Sequence, residues 1–400
     1  MNAMSLTRRL TSVFVAVILA AGVHADINSR VLKVGGPNSQ YGSIAAAINA
    51  AVDGDVIVTQ KLGSFIIDGK SLTIIGEGNP TGPAEIEVRN LALGQVVVIS
   101  GLSIQPLSEC PFPLGVIQIA IRDNEGQVFI EDTMAAGKLV CELFSGSGTP
   151  SPTVTVEASN VTFSGCTFYG GTAAAAAAPF LNVNSSTALD IRRGSSVHVY
   201  GSTLEGGGGT FPTITAVEAI QATDSFLFVS DSTILESSEY INAGPFSGTY
   251  TAMDILSTGN SPGPLWIKDS GDLDYYAASS NVIEFTEPTR RMEFNNSPVP
   301  VGTPAQMVFE GEPGDWVFLV ATSATQSLRL AEYCGIQFTA PPNGVFEIGR
   351  IRGSGQLSID VLIRQLPPGF ELHSFFFQGF FVTPTFDGVL SNPVYGLWTD

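Results

Sequence analysis

Histidine, cysteine and positive charge are all scarce in this chain: it has three histidines, four cysteines and 18 lysines plus arginines, against 37 acidic residues. Each shortage closes off a class of chemistry. No CxxC pair and no Cys/His spacing of the zinc type occurs, so no metal site of that kind is expected. Few histidines leave little room for imidazole-based acid–base work, and one of them, His24, falls in the leader described below. No Gly-x-Ser-x-Gly elbow and no phosphate-binding loop is present. The formal charge of −19 repels phosphate backbones and anionic lipid, so nucleic acid is not an expected partner. Polyuronates are repelled too unless a cation bridges them. Past the first residues no apolar run is long enough to span a bilayer.

What the chain does have is apolar content without much charge: 44% hydrophobic and 14% charged residues, with 43 glycines. That composition argues against disorder and for a β-rich exported protein. Residues 1–25 read as a secretory signal, with Arg8 and Arg9 ahead of the apolar run Val13 to Ala21. Val23-His24-Ala25 supplies the small residues of a cleavage site before Asp26. The expected location is secreted or cell surface. At roughly 150 residues per domain, the remainder is long enough for about two.

A repeat runs through most of it. Val97, Val128, Val161, Val197, Leu227 and Leu265 align in one column, and Ile99, Ile130, Phe163, Val199, Val229 and Ile267 in a second. Steps of roughly 30 to 38 residues suit stacked repeats. Residues two apart on a strand share a face, so both columns should point inward and bury a continuous core. The next position holds Gly101, Asp132, Gly165, Gly201, Asp231 and Asp269, only glycine or aspartate, as a bend with turn geometry would require. Ala173–Ala178 and the Gly206–Gly209 run are expected to be loop filler.

Before the repeat, Arg30–Val34 reads as a strand. Ser43 is an N-cap for a helix carrying Ile44, Ala47, Ile48, Ala51 and Val52 at helical spacing. Asp53-Gly54-Asp55 ends that helix, Val56–Val58 starts a strand, and Ser71-Leu72-Thr73-Ile74-Ile75 leads into Gly76-Glu77-Gly78. This order resembles the N-terminal part of pectin-lyase-like β-helix proteins. The resemblance implies an all-β fold, a right-handed parallel β-helix over residues 26–292, with the short helix capping its open end. Beyond Asn295–Pro300, short apolar runs between Gly/Pro turns predict a β-sandwich over residues 298–400. Its ending, Leu390-Ser391-Asn392-Pro393-Val394, resembles C-terminal sandwich modules of large secreted bacterial proteins.

The family includes lyases and hydrolases, but the motifs that mark those enzymes are missing here, and no catalytic residue is assigned. Asp231 and Asp269 align on adjacent repeats about 4.8 Å apart and are the one carboxylate pair to weigh for a glycosidase; turn geometry is the preferred reading of both. A binding reading rests on the outward columns. His198, Phe228 and Trp266 would form an aromatic ladder, with Tyr200, Lys268 and Glu131 beside it, suited to the apolar faces of sugars. The competing expectation is that chain covers this strip. Arg89, Arg122, Arg192 and Arg193 are expected to pair with Glu87 and Asp190 as surface ion pairs. No cofactor is implied; Asp269–Asp274 offers carboxylates for calcium but lacks an EF-hand spacing, and a solvated acidic turn is the preferred reading. Cys110 and Cys141 are the preferred disulfide partners because both should lie in neighbouring repeats, with buried free thiols the alternative for these and for Cys166 and Cys334. The expected function is a non-catalytic extracellular module that binds a polysaccharide or a surface protein. A polysaccharide lyase or glycoside hydrolase, and a purely structural spacer, are the rivals.

Overall fold

The structure is a computed structural model that describes residues 29–105, 117–137, 140–142, 151–171, 173–175, 185–207, 219–223, 225–230, 232–235, 253–256, 265–268, 276–278, 282–285, 290–295, 298–322, 325–329, 333–334, 336–339, 344–362, 366 and 372–399. The chain is all-β, with large parallel sheets and, among the described residues, one short helix. It divides into two compact units, one spanning Leu32–Glu284 and one that includes Phe285–Asp400.

In the first unit, strands of successive repeats pair in parallel, and the pairing follows the apolar columns read from the sequence. Val97 lies opposite Val128, then Val161, Val197 and Leu227. Ile99 lies opposite Ile130, then Phe163, Val199, Val229 and Ile267. From Val97 to Leu227 and Ile99 to Val229 these side chains are buried. A separate six-stranded parallel sheet adds Ile104, Ala135, Phe168, Leu204 and Ile234 as a third buried column. All three columns belong to one hydrophobic cluster. A slip of one residue would turn every column outward, so burial fixes the register.

Turn geometry occurs where the Gly/Asp column predicts it. Gly101, Asp132, Gly165 and Gly201 all take positive φ, between 47° and 70°. Each donates its N–H to the carbonyl that ends the next strand, as Gly165 does to Tyr200 at 3.0 Å. Just beyond the bend, Thr133, Ser202 and Ser232 turn their hydroxyls onto carbonyls two residues back. The Ser202 and Ser232 hydroxyls also accept the N–H groups of Cys166 and Ser202. These bonds satisfy buried backbone polar groups at a place where no strand ladder can. Cys166 is buried and free, and burial pushes its thiol up to about 12, so it packs as a small hydrophobe.

One expectation about filler needs correction: Ala173–Ala175 is a strand paired in parallel with Val140–Glu142, setting Cys141 opposite Ala174. Gly206 and Gly207 lie outside the strands as expected, and Gly207 approaches Gly170 so closely that a Cβ on Gly170 would lie 2.3 Å from the Gly207 nitrogen. These glycines serve close backbone packing.

The helix Ile44–Ala50 buries Ile44, Ala47 and Ile48 in the same cluster. The Ser43 hydroxyl accepts the Ala46 N–H at 3.2 Å, an N-cap bond, and the Lys70 ammonium donates to the carbonyls of Ile48 and Ala51 at the other end.

The second unit is built mainly of antiparallel ladders, with short parallel pairings of Val299–Pro300 and Tyr333–Cys334 to Gly388–Thr399. Arg291–Asn295, Pro304–Glu310 and Gln356–Leu362 form one sheet. A six-stranded sheet is centred on Trp316–Thr322, Leu372–Val382 and Gly388–Thr399. Residues of both sheets, including Met292, Phe309, Val317, Phe377, Phe381 and Trp398, share one core. Arg291–Asn295 straddles the expected boundary at 292 and pairs wholly within this unit. The Arg290 guanidinium pairs with Asp315, both side chains at most 2% exposed, and the same carboxylate caps the turn by accepting the Glu312 N–H at 3.0 Å.

Two substitutions probe these cores. Phe163→Ala removes a side chain whose ring meets Phe168 edge-on at 5.2 Å; a loss of about 3–5 kcal/mol is expected from denaturant unfolding. Arg290→Met leaves Asp315 buried without its partner. The second unit should lose about 3–5 kcal/mol, read from its own unfolding transition, and a loss below 1 kcal/mol would show that the pair does not organise the turn.

Candidate functional site

The expected aromatic ladder is present in register, but its His198 and Phe228 rings are not at the surface. His198 lies opposite Phe228, and Phe228 opposite Trp266, on adjacent parallel strands. Tyr200, Ser230 and Lys268 follow two residues on. The His198 ring stands 5.7 Å from Phe226 and 6.5 Å from Phe228, and Tyr200 stacks obliquely on Phe228 at 5.5 Å. Yet His198, Tyr200 and Phe228 are each at most 4% exposed, and Val98, Phe129 and Thr162 of the same outward column are buried with them. Over these residues the expected strip open to a sugar is instead a second packed layer outside the sheet. Burial pushes the His198 imidazole down to about 4, opposed by a backbone contact at Val161, and it raises the Tyr200 phenol. Glu131 is half-buried opposite Ser100 and Ser164. Trp266 and Lys268 are placed by backbone register alone. Asp231, Asp269, the rest of the 269–274 acidic turn and Cys110 lie outside the described residues. Among the described residues no group of three or more His, Cys, Asp or Glu side chains could hold a metal ion.

A different face of the same unit is open. Asp68, Arg89, Arg122, Glu157 and Arg192 occupy one register position on successive strands. Two residues earlier on those strands stand Ile66, Glu87, Ala120, Thr155 and Asp190. Strand spacing of about 4.8 Å puts each charge within reach of the next. Arg89 contacts Asp68 at 3.0 Å and Glu87 at 3.4 Å, while Arg122 contacts Glu87 at 3.3 Å. Further along, Arg193 faces Glu157 at 3.7 Å and Arg192 grips Asp190. Hydrogen bonds from Asn90 and Arg89 hold the Asp68 carboxyl below its ordinary range. Asp190 moves the other way: burial raises it, Arg192 opposes the rise and Glu157 adds to it.

At the start of this charged face is a groove of about 650 Å³, whose walls include Asn49 of the helix, Ser64 and Ile66, Glu85 and Glu87, and Ala120 and Arg122. Its lining mixes carboxylate, guanidinium, amide and hydroxyl groups with aliphatic surface, and Ile66 is 48% exposed. The volume falls within the roughly 300–1,000 Å³ of small-molecule sites. The pairing of Arg89 and Arg122 with Glu87 and of Arg192 with Asp190 is as the sequence implied. Asn49, Ser64, Ile66 and Glu85 were not singled out. Their signal was alternation: in Phe65–Asp68, Ile66 sits at an outward position where a polar residue would be ordinary, and its side chain is exposed.

No protein-family model matches the chain, and no curated protein matches it. The chemistry of the site rests on its own residues.

Buried His198 makes stability depend on pH. Above about pH 6.5 the ring is neutral in both folded and unfolded chains. As pH falls from there towards 4, the unfolded chain binds a proton that the buried ring refuses, so stability is lost across that window. His198→Leu should flatten the fall between pH 6.5 and 4 by about 3 kcal/mol relative to the native chain, measured by urea unfolding at stepped pH. Parallel pH curves for the two proteins would contradict it.

Proposed function

We propose that this chain is a secreted, non-catalytic module that binds a glycan in the groove beside Glu87 and Arg122. In this reading the Leu32–Glu284 unit is a right-handed parallel β-helix of the pectin-lyase-like kind, capped by the helix Ile44–Ala50. The unit that includes Phe285–Asp400 is a β-sandwich. Parallel pairing of successive repeats with stacked inward columns supports the first assignment, and a core shared between two mainly antiparallel sheets supports the second.

The observation that carries the functional reading is the contrast between the two outward faces. The aromatic column is shut, while the charged face opens into a groove of about 650 Å³. A sugar ring presents hydroxyls at its rim and C–H groups on its faces. The groove answers with Asn49, Ser64 and Arg122 for the former, and Ile66 and Ala120 for the latter. Arg89 and Arg122 both hold Glu87, so the polar wall is set before a ligand arrives and less ordering entropy opposes binding.

The test is a glycan array probed with the full chain, followed by titration of each bound glycan. Arg122→Ala should weaken binding about tenfold or more, the loss of one charge-assisted hydrogen bond. It should leave the unfolding midpoint nearly unchanged, since exposed ion pairs contribute about 0–1 kcal/mol. If no glycan is retained, or if Arg122→Ala binds as well as the native chain, the reading is wrong; capture of a surface protein alone would point to the other partner class.

A further inference from the structure

We infer that the groove selects sugars bearing a free amine, with Glu85 as the anionic anchor for the ammonium group. This rests on the glycan-binding reading above and names the ligand class of the same site.

The inference comes from which charges in the groove are already spent. Glu87 is shared by Arg89 and Arg122, so these three groups satisfy one another. Glu85 is exposed on the groove wall, and among the described residues no cation pairs with it. Its backbone is fixed: its N–H donates to the Ser64 hydroxyl at 3.0 Å, and its carbonyl accepts the Phe65 N–H at 2.9 Å. Alternation along the strand places Glu85, Glu87 and Arg89 on one side, about 7 Å apart in turn. The free carboxylate thus stands one side-chain position before one already held by two guanidiniums.

An exposed carboxylate on the groove wall, with no cation of its own among the described residues, calls for a ligand group that is cationic and rich in donors. An ammonium group has three N–H donors and no acceptor. Neutral sugars lack the charge, N-acetylated ones have lost it, and uronates carry the wrong sign for Glu85 and for a chain of net charge −19. The aliphatic patch at Ile66 and Ala120 beside the carboxylates suits a sugar ring carrying the amine.

The experiment is isothermal titration of the full chain near pH 6 with short oligomers: glucosamine, N-acetylglucosamine, neutral glucose and uronic acid. Ionic strength is held at about 0.15 M, where screening beyond roughly 8 Å suppresses general attraction of a cation to an acidic protein. The glucosamine oligomer should bind at least tenfold tighter than the other three. Glu85→Gln should bring it down to the affinity of the neutral oligomer, and Glu85→Asp should keep part of the preference. Glu310→Gln, a change of equal charge in the other unit, should leave the preference unchanged. Equal or tighter binding of the neutral or N-acetylated oligomer would overturn the amine inference and leave glycan binding intact, as would an unaltered preference in Glu85→Gln. If trilysine competes as well as the glucosamine oligomer, the inference also fails, because the site would then take cationic peptides. Failure of every oligomer to bind would overturn the underlying glycan reading.

Discussion

The constraint on which the first unit depends is the register of parallel strands stacked one repeat above the next. Parallel pairing places like positions on top of one another, so a residue type suited to one repeat must suit its neighbours. Val97, Val128, Val161, Val197 and Leu227 form one such stack, and Ile99, Ile130, Phe163, Val199 and Val229 another. No single repeat could bury its apolar face alone; stacking buries all of them in one cluster. Everything outside the core inherits this register, including the order in which charges meet on the open face.

Stacking also creates a cost at the bends, where backbone polar groups leave the ladder. The chain meets it in two ways. Residues of positive φ (Gly101, Asp132, Gly165 and Gly201) make the bend, and small hydroxyl side chains then take up the buried N–H and carbonyl groups behind it. A different corner uses Asn124, whose amide bridges the Val88 carbonyl and the Ser159 hydroxyl, while its Oδ1 accepts the Leu91 N–H. Polar side chains recur at these corners because the same backbone groups leave the ladder in successive repeats.

On the open face the same regularity builds a charge pattern with few loose ends. Glu87 serves two guanidiniums, Asp68 takes hydrogen bonds from Asn90 and Arg89, and Asp190 is gripped by Arg192. Individually such contacts contribute little to stability where they are exposed. Their effect is to hold side chains in place along a groove, and to leave Glu85 as an exposed carboxylate of its wall with no ion pair among the described residues. In the unit that includes Phe285–Asp400 the comparable device is buried: Arg290 and Asp315 lie inside, and the carboxylate fixes the turn before Trp316–Thr322.

The sequence by itself determined the β class, the columns, their register and the bends, because each follows from a rule that acts locally: alternation along a strand and backbone geometry at glycine or aspartate. Pairing of Arg89 and Arg122 with Glu87 was legible for the same reason, since register sets which charges become neighbours. Alternation also told that His198, Phe228 and Tyr200 point away from the core, but not that solvent fails to reach them. Only the tertiary structure decided that, along with the groove formed where Asn49 of a helix meets Ile66, Glu87 and Arg122 of three strands. Exposure and concavity depend on what distant parts of the chain lie against a face, and no periodicity along one strand carries that information.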